Sequence, residues 1–316
     1  MAGLNAIPRS GAGRLGRRPY GSVLVLLCAA LYFLVPVGAS LWFTVDTPGG
    51  PVPDLSPYTE GLTSEGMSGS LLLSVELGLA TVALGLIVMV PTMVAVALRV
   101  PRLRRTVEVL CMAPLMVPPI ALVAGVSTVL SWQQELADTP FWKTFQVLQN
   151  DAFPLVLVLV YTVMSLPFLH RSLDAGLRGV DLRTLVEASR SLGASRTATL
   201  FRVVLPNLRA AVTGGAVLSL AMVLGEFTVA SVLGYEPFAV WMVHTGETEA
   251  QLSVAAAMLS LILTWGLLLL LTTLAGARPR RARRRTDARA GSRADARAET
   301  RTETRADSRT DRRTTA

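Results

Sequence analysis

One lysine, two histidines and two cysteines are all that 316 residues hold of those three types. The lysine, Lys143, follows Trp142, so the chain has no Gly-x4-Gly-Lys-Ser/Thr loop to cradle a nucleotide phosphate. Cys28 and Cys111 are far apart and lie in or beside apolar runs. They read as small buried apolar residues, not as a disulfide framework or a zinc site. His170 and His244 are separated by apolar blocks that put them on opposite faces of a membrane, so they cannot share a metal. No Ser/His/Asp or Cys/His catalytic set can be assembled. The sequence therefore leads us to expect no metal, no cofactor and no covalent chemistry.

Apolar residues make up 51% of the chain and come in long blocks, with most arginines outside them. A helix crosses about 30 Å of hydrocarbon with roughly 20 residues. We read six spans, at about Ser22–Phe43, Ser70–Leu98, Val109–Ser131, Phe153–Leu169, Ala210–Leu233 and Leu252–Ala275. The runs are continuous and do not alternate, which excludes a barrel and leaves helices. The first span reads as an uncleaved anchor, being long for a secretory signal and followed by five more. The expected organisation is a tail over 1–21, a six-helix membrane domain over 22–276, and an arginine-rich tail over 277–316.

Orientation follows from the arginines. The N-terminal tail has four, the loop after span two has four, the segment after span four has seven, and the C-terminal tail has fourteen. With six spans, 29 of the 30 Lys and Arg fall on one side. The positive-inside rule makes that side cytoplasmic, with both termini there, in a multi-pass protein of the cytoplasmic membrane. The opposite face carries Lys143 and about ten Asp and Glu. The formal charge of +8 is thus a topological signal and not a nucleic-acid footprint. In the C-terminal tail arginine recurs every four residues from Arg285 to Arg313, with acids midway. Like charges at i,i+4 and no large apolar residue make this a disordered polyampholyte.

The segment after span four is too polar for lipid and too regular for a linker. Leu182, Leu185, Val186, Ala188 and Leu192 recur at helical spacing, Asp181 is placed to cap, and Gly193 suits a left-handed exit. A second helical run covers Ser195–Val204, and Pro206 marks entry into span five. Within it lie Glu187-Ala188-Ser189, three residues, Gly193, nine residues, Val203, one residue, Leu205-Pro206. This resembles the EAA loop of ABC importer membrane subunits, Glu-Ala-Ala-x3-Gly-x9-Ile-x-Leu-Pro, with Ser189 for the second Ala and Val203 for Ile.

The resemblance implies an all-α membrane protein of type I importer architecture with six transmembrane helices. It implies that residues 181–206 form a coupling helix inserted into a cytoplasmic ATPase, which hydrolyses the ATP on a separate subunit. Glu187, Ala188, Ser189, Gly193, Val203, Leu205 and Pro206 would form the docking set. Small Ala188 and Ser189 would allow close approach, Glu187 would pair with Arg183, Arg190 or the ATPase, and Leu205-Pro206 would hinge the loop to span five. Further partners implied are a second permease subunit, itself or a sister chain, an extracytoplasmic solute-binding protein and the lipid bilayer.

Two acids fall inside spans, Glu76 and Glu226. Such acids are costly in lipid and face the bundle interior or a hydrated path. Glu226 shares a helical face with Gly215, Ser219, Met222 and Ala230, a small and polar stripe suited to a pore or to packing. Each acid either lines the outer part of a solute path or its gate, or is capped by a neighbouring hydroxyl or backbone group and is structural. Pro91, Pro114, Pro118, Pro119 and Pro167 are expected to kink their helices. The stretches PLMVPPIALVAG and LGEFTVASVLG resemble the importer branch for polyamines, iron, sulfate, molybdate or phosphonates. The acidic outer face leans towards a polyamine. An ion-coupled secondary transporter or channel is the alternative, but its inverted repeats or broken mid-membrane helices are not evident in the sequence.

Overall fold

In a computed structural model, residues 19–46 and 53–276 are described. Most of the N-terminal tail and the whole arginine-rich tail lie outside the described residues. No strand occurs among those described. The helices in chain order are α1 (Pro19–Val45), α2 (Ser56–Thr63), α3 (Glu65–Leu98), α4 (Arg104–Met112), α5 (Pro119–Ser131), α6 (Phe141–Leu148) and α7 (Leu155–Arg178). There follow α8 (Leu182–Ser191), α9 (Arg196–Thr199), α10 (Leu205–Leu224), α11 (Thr228–Leu233), α12 (Phe238–Thr248) and α13 (Ala250–Gly276).

Five stretches are long and apolar enough to cross a membrane: Val23–Val45, Gly66–Leu98, Leu155–Arg178, Arg196–Leu224 and Ala250–Thr273. A sixth is a broken pair, Pro101–Leu115 and Pro119–Ser131, bent by 95°. The expected third span is thus not a single kinked helix. Pro118 precedes another proline, which forces it out of the helical region, and its ψ is 139°. Pro119 then starts α5 at a position where a missing amide costs nothing. Pro91 and Pro167, by contrast, sit inside unbroken helices. The expected fifth span also differs: its helix stops at Leu224, and α11 starts afresh at Thr228.

The chain forms two compact units. The first comprises the described parts of Met1–Gly85, Leu110–Leu166 and Ser219–Gly266. Its core gathers Leu77, Val123, Leu157, Tyr161, Val223 and Val229. The buried Ser74 hydroxyl accepts from the Phe238 amide at 2.8 Å, which satisfies one of the free amides at the start of α12. Helix α1 is apolar on all sides and exposes nearly all of them, as a helix bathed in lipid does. It is tied to the rest of this unit at one end only. There Thr44 and Tyr58 share a hydroxyl hydrogen bond of 2.7 Å, and Gln251 donates to the carbonyls of Phe43 and Asp46.

The second unit comprises Leu86–Val109, Pro167–Leu218 and the described part of Leu267–Ala316. Here the packing of α7 on α10 is set by small residues. A Cβ on Gly176 would sit 2.4 Å from that of Ala211, and one on Gly215 3.1 Å from Leu169. Ser172 donates to the Ala211 carbonyl at 2.6 Å. Between lipid-embedded helices the hydrophobic effect gives no net attraction, so close backbone approach and such hydrogen bonds hold the pair. Of the two roles open to the small-residue stripe, its Gly215 end therefore takes packing. Leu182, Val204 and Leu208, with Val94, Leu98 and Val186, close the other end of the unit.

Candidate functional site

Residues 181–206 lie wholly in the second unit. Asp181 caps α8: its carboxylate accepts from the Thr184 hydroxyl at 2.7 Å and from the Thr184 amide at 3.4 Å. Those bonds, with Arg183 nearby, hold its carboxyl below the usual range. Helix α8 ends in a Schellman turn. Gly193, at φ +83°, donates to the Arg190 carbonyl at 2.9 Å, and Ala194 to the Ser189 carbonyl at 3.2 Å. The chain then turns back through Ser195, whose hydroxyl accepts from the Ala198 amide and caps α9. The result is a short helix, a glycine turn and a second helix, each end satisfied by its own side chains or backbone.

The two arms are bound face to face. The Ser189 hydroxyl is 3.0 Å from that of Thr199, and both residues are buried. Ser189 thus lets α8 approach α9, and does not face outward as the sequence implied. Glu187 and Ala188 do face outward. Glu187 forms no ion pair with Arg183 or Arg190, so its carboxylate is unspent within the described residues. Leu192, which the helical spacing put on the inner stripe, is 88% exposed at the turn. Its place directly before a left-handed glycine was the available signal, since the helix unwinds there and swings that side chain outward. The loop thus exposes an apolar Leu192 at its turn and an unpaired Glu187 on α8.

Val203 and Leu205 are half-buried and Pro206 is exposed. Helical backbone runs through all three. Between α9 and α10 lies one π turn over Leu200–Val204, in which the Leu205 amide bonds to the Leu200 carbonyl. The widened turn gives the Pro206 ring room that a tight helix lacks, so the helix runs unbroken from Arg196 to Leu224. At 1.5 Å per residue that is about 43 Å, against about 30 Å of hydrocarbon. The helix is thus longer than the hydrocarbon is thick.

Elsewhere in this unit, Asp174 accepts from Arg104 at 2.6 Å and pairs with Arg178 at 2.7 Å beside a cavity of about 200 Å³ that His170 also lines. Both arginines are well exposed. Such pairs stabilise by about 1 kcal/mol or less each, so they orient the helix ends more than they hold them.

In the first unit Glu226 is 8% exposed, in the three-residue break between α10 and α11. Its two carboxylate oxygens lie 2.9 and 3.2 Å from the Val229 amide and accept from it, which satisfies the start of α11. The Tyr161 hydroxyl is close enough to interact with that carboxylate but makes no well-formed hydrogen bond. Glu76 is exposed on α3, beside the exposed Leu72 and Leu79. The two acids thus differ in setting, Glu76 exposed and Glu226 buried. Among the described residues no group of three His, Cys, Asp or Glu is placed to hold a metal.

Residues 82–284 match the model of the family described as binding-protein-dependent transport system inner membrane component. The chain belongs to that family. It is a permease component of an ABC transporter and not an enzyme. Family membership also decides against the secondary transporter, although the structure does contain broken helices. A protein of Haloferax volcanii described as a probable molybdenum ABC transporter permease is 27% identical over 72% of this chain and 79% of its own. The molybdenum transport system permease ModB of Mycobacterium tuberculosis is 31% identical over 52% of this chain. The match spans 61% of that mycobacterial relative, so about two fifths of it has no counterpart in the alignment. A probable sulfate transport permease of Prototheca wickerhamii is 41% identical over 24% of this chain and 28% of its own.

Proposed function

We propose that this chain is the membrane-spanning subunit of an ATP-driven importer for a small tetrahedral oxyanion, molybdate or sulfate, in the cytoplasmic membrane. It works as a pair, with itself or a sister chain, with both termini cytoplasmic. Two ATPase subunits dock on the arginine-rich side and a binding protein delivers cargo to the acidic side. The projection at 181–206 carries this reading, with Leu192 bare, Glu187 unpaired and the turn locked by Gly193. Leu192 and Ala188 enter an apolar groove on the ATPase, and Glu187 meets a basic residue there. Ser189, Val203, Leu205 and Pro206 hold the projection to its rod.

The cargo follows the relatives' names, which favour an oxyanion over the polyamine that the acidic outer loops suggested. Those loops then serve to dock the binding protein. An anionic cargo also argues that neither Glu76 nor Glu226 touches it. Glu226 holds the break before α11, while Glu76 faces the hydrated path or the second permease, since an uncovered carboxylate in lipid is costly.

The test has two arms. Uptake of labelled molybdate, sulfate and putrescine is measured in a deletion strain complemented with this chain, and co-purification of the ATPase is measured for Leu192→Asp and Glu187→Lys. Oxyanion uptake that is lost together with ATPase association in both variants supports the whole reading. Putrescine uptake alone refutes the cargo. Undiminished association in both variants refutes the docking surface.

A further inference from the structure

A second surface of the second unit does not take part in that scheme. A groove of about 290 Å³ runs beside the end of α3, with a floor that includes Pro91, Val94 and Leu98. Arg99, Arg190 and Arg196 stand at its rim, all exposed, and no acid lines it. None of the three side chains is in an ion pair among the described residues. Three uncompensated guanidinium groups repel one another, and they surround apolar surface that water wets poorly. Both costs fall if one molecule supplies negative charge at the rim and hydrocarbon at the floor.

We propose that this groove binds one anionic phospholipid, its phosphate on the three arginines and an acyl chain along α3. Charge complementarity identifies the head, because guanidinium forks match phosphate oxygens bidentately. The floor identifies the tail. It belongs to a helix that is itself apolar enough to span the bilayer, so the occupant is already dissolved in the phase that surrounds α3. The rim identifies the depth, since Arg99 directly follows the last residue of α3, at the level where a span gives way to headgroups. An inorganic anion would leave the floor bare, and an acidic peptide would have to enter the bilayer to cover it. Arg190 lies on α8 and Arg196 on α9, the two arms of the projection. A lipid held there clamps both arms to α3 and makes ATPase docking sensitive to the charge of the leaflet. The proposal needs only that α3 spans a membrane, and it stands whatever the cargo.

The test uses the full-length chain in nanodiscs of phosphatidylcholine with phosphatidylglycerol. It is extracted into mild detergent, and retained lipid is counted by native mass spectrometry. The wild type is expected to keep phosphatidylglycerol in preference to phosphatidylcholine. Arg99→Gln, Arg190→Gln and Arg196→Gln each weaken retention about five-fold, the worth of one basic residue at an anionic leaflet. Ala95→Trp fills the groove without changing charge and is expected to weaken retention as well. Arg183→Gln and Arg202→Gln, outside the groove, are expected to leave it unchanged. Equal losses in those two controls would reduce the effect to unspecific charge and overturn the proposal. So would displacement of the lipid by inorganic phosphate alone, which would mark a free-anion site. Displacement by the ATPase subunit would make the groove part of the motor interface and would also overturn it.

Discussion

Gly193→Ala adds one methyl group and tests whether the projection at 181–206 must be rigid. The glycine has φ +83°, and a Cβ there would meet no atom within 4 Å. The penalty is therefore purely backbone, about 1–2 kcal/mol for an L-residue in the left-handed region. Escape from that region does not avoid the cost. It breaks the two turn bonds, Gly193 to Arg190 and Ala194 to Ser189, each worth about 1 kcal/mol. If the ATPase binds only the native turn, its apparent dissociation constant rises by the factor by which that turn is depopulated. At 1.4 kcal/mol per tenfold, the upper bound is about 5- to 30-fold. The assay is titration of purified ATPase onto the full-length chain in nanodiscs, alongside ATP-driven uptake. Asn tolerates the left-handed region and β-branched Val does not, so affinity is expected to fall in the order Gly, Asn, Ala, Val. Equal affinities for Asn and Val, or an unaffected Val variant, would show that the turn carries no docking constraint.

Other substitutions probe the fold that holds the loop. Gly176→Ala forces α7 and α10 apart, because its Cβ would lie 2.4 Å from that of Ala211; overpacking of about 1–3 kcal/mol should lower the melting temperature in detergent. Gly125→Ala, which meets open space, should not. Ser189→Ala strands the buried Thr199 hydroxyl and costs about 1–3 kcal/mol, whereas adding Thr199→Val should recover part of it; strict additivity of the two single substitutions would deny the 3.0 Å bond its role. Glu226→Gln keeps an acceptor for the Val229 amide and should transport near the wild-type rate, while Glu226→Leu should lose folded protein; a well-folded Gln variant without transport would place Glu226 on the solute path. Pro206→Ala leaves the rod continuous and should leave uptake intact; loss of coupling would reinstate a hinge at that proline.

Span length is a one-dimensional property, so the long apolar runs were legible and the structure departs mainly at their ends. Helix α7 continues to Arg178, nine residues past its expected end at Leu169, because a helix does not stop where lipid does. The break at Pro118–Pro119 had a visible cause in the sequence, but its 95° size did not, since neighbouring packing sets the angle. The break at Gly225–Phe227 was hidden inside an apolar run. Its signal was Glu226 itself, for which the sequence left a path role and a structural cap open, and whose carboxylate accepts from the Val229 amide at the start of α11. The helical spacing and Gly193 marked a short helix, a glycine turn and a second helix, as the structure has them, but could not orient their residues. Ser189 turned inward because Thr199 lies opposite it, ten residues on, and Leu192 turned outward because Gly193 ends the helix beneath it.

A common device runs through these breaks. In lipid an unsatisfied backbone group costs several kcal/mol, so an interrupted helix must supply its own partners. Glu226 supplies one at the start of α11, and Gly234, at φ +80°, closes its end with bonds to Ser231 and Ala230. Asp181, Gly193 and Ser195 do the same for α8 and α9. With these ends satisfied, the breaks are stable parts of the fold rather than strained joints waiting to open. The π turn before Pro206 keeps the helix continuous from Arg196 to Leu224. On the docking scheme proposed above, a push on the loop therefore enters α10 through helix and not through a break.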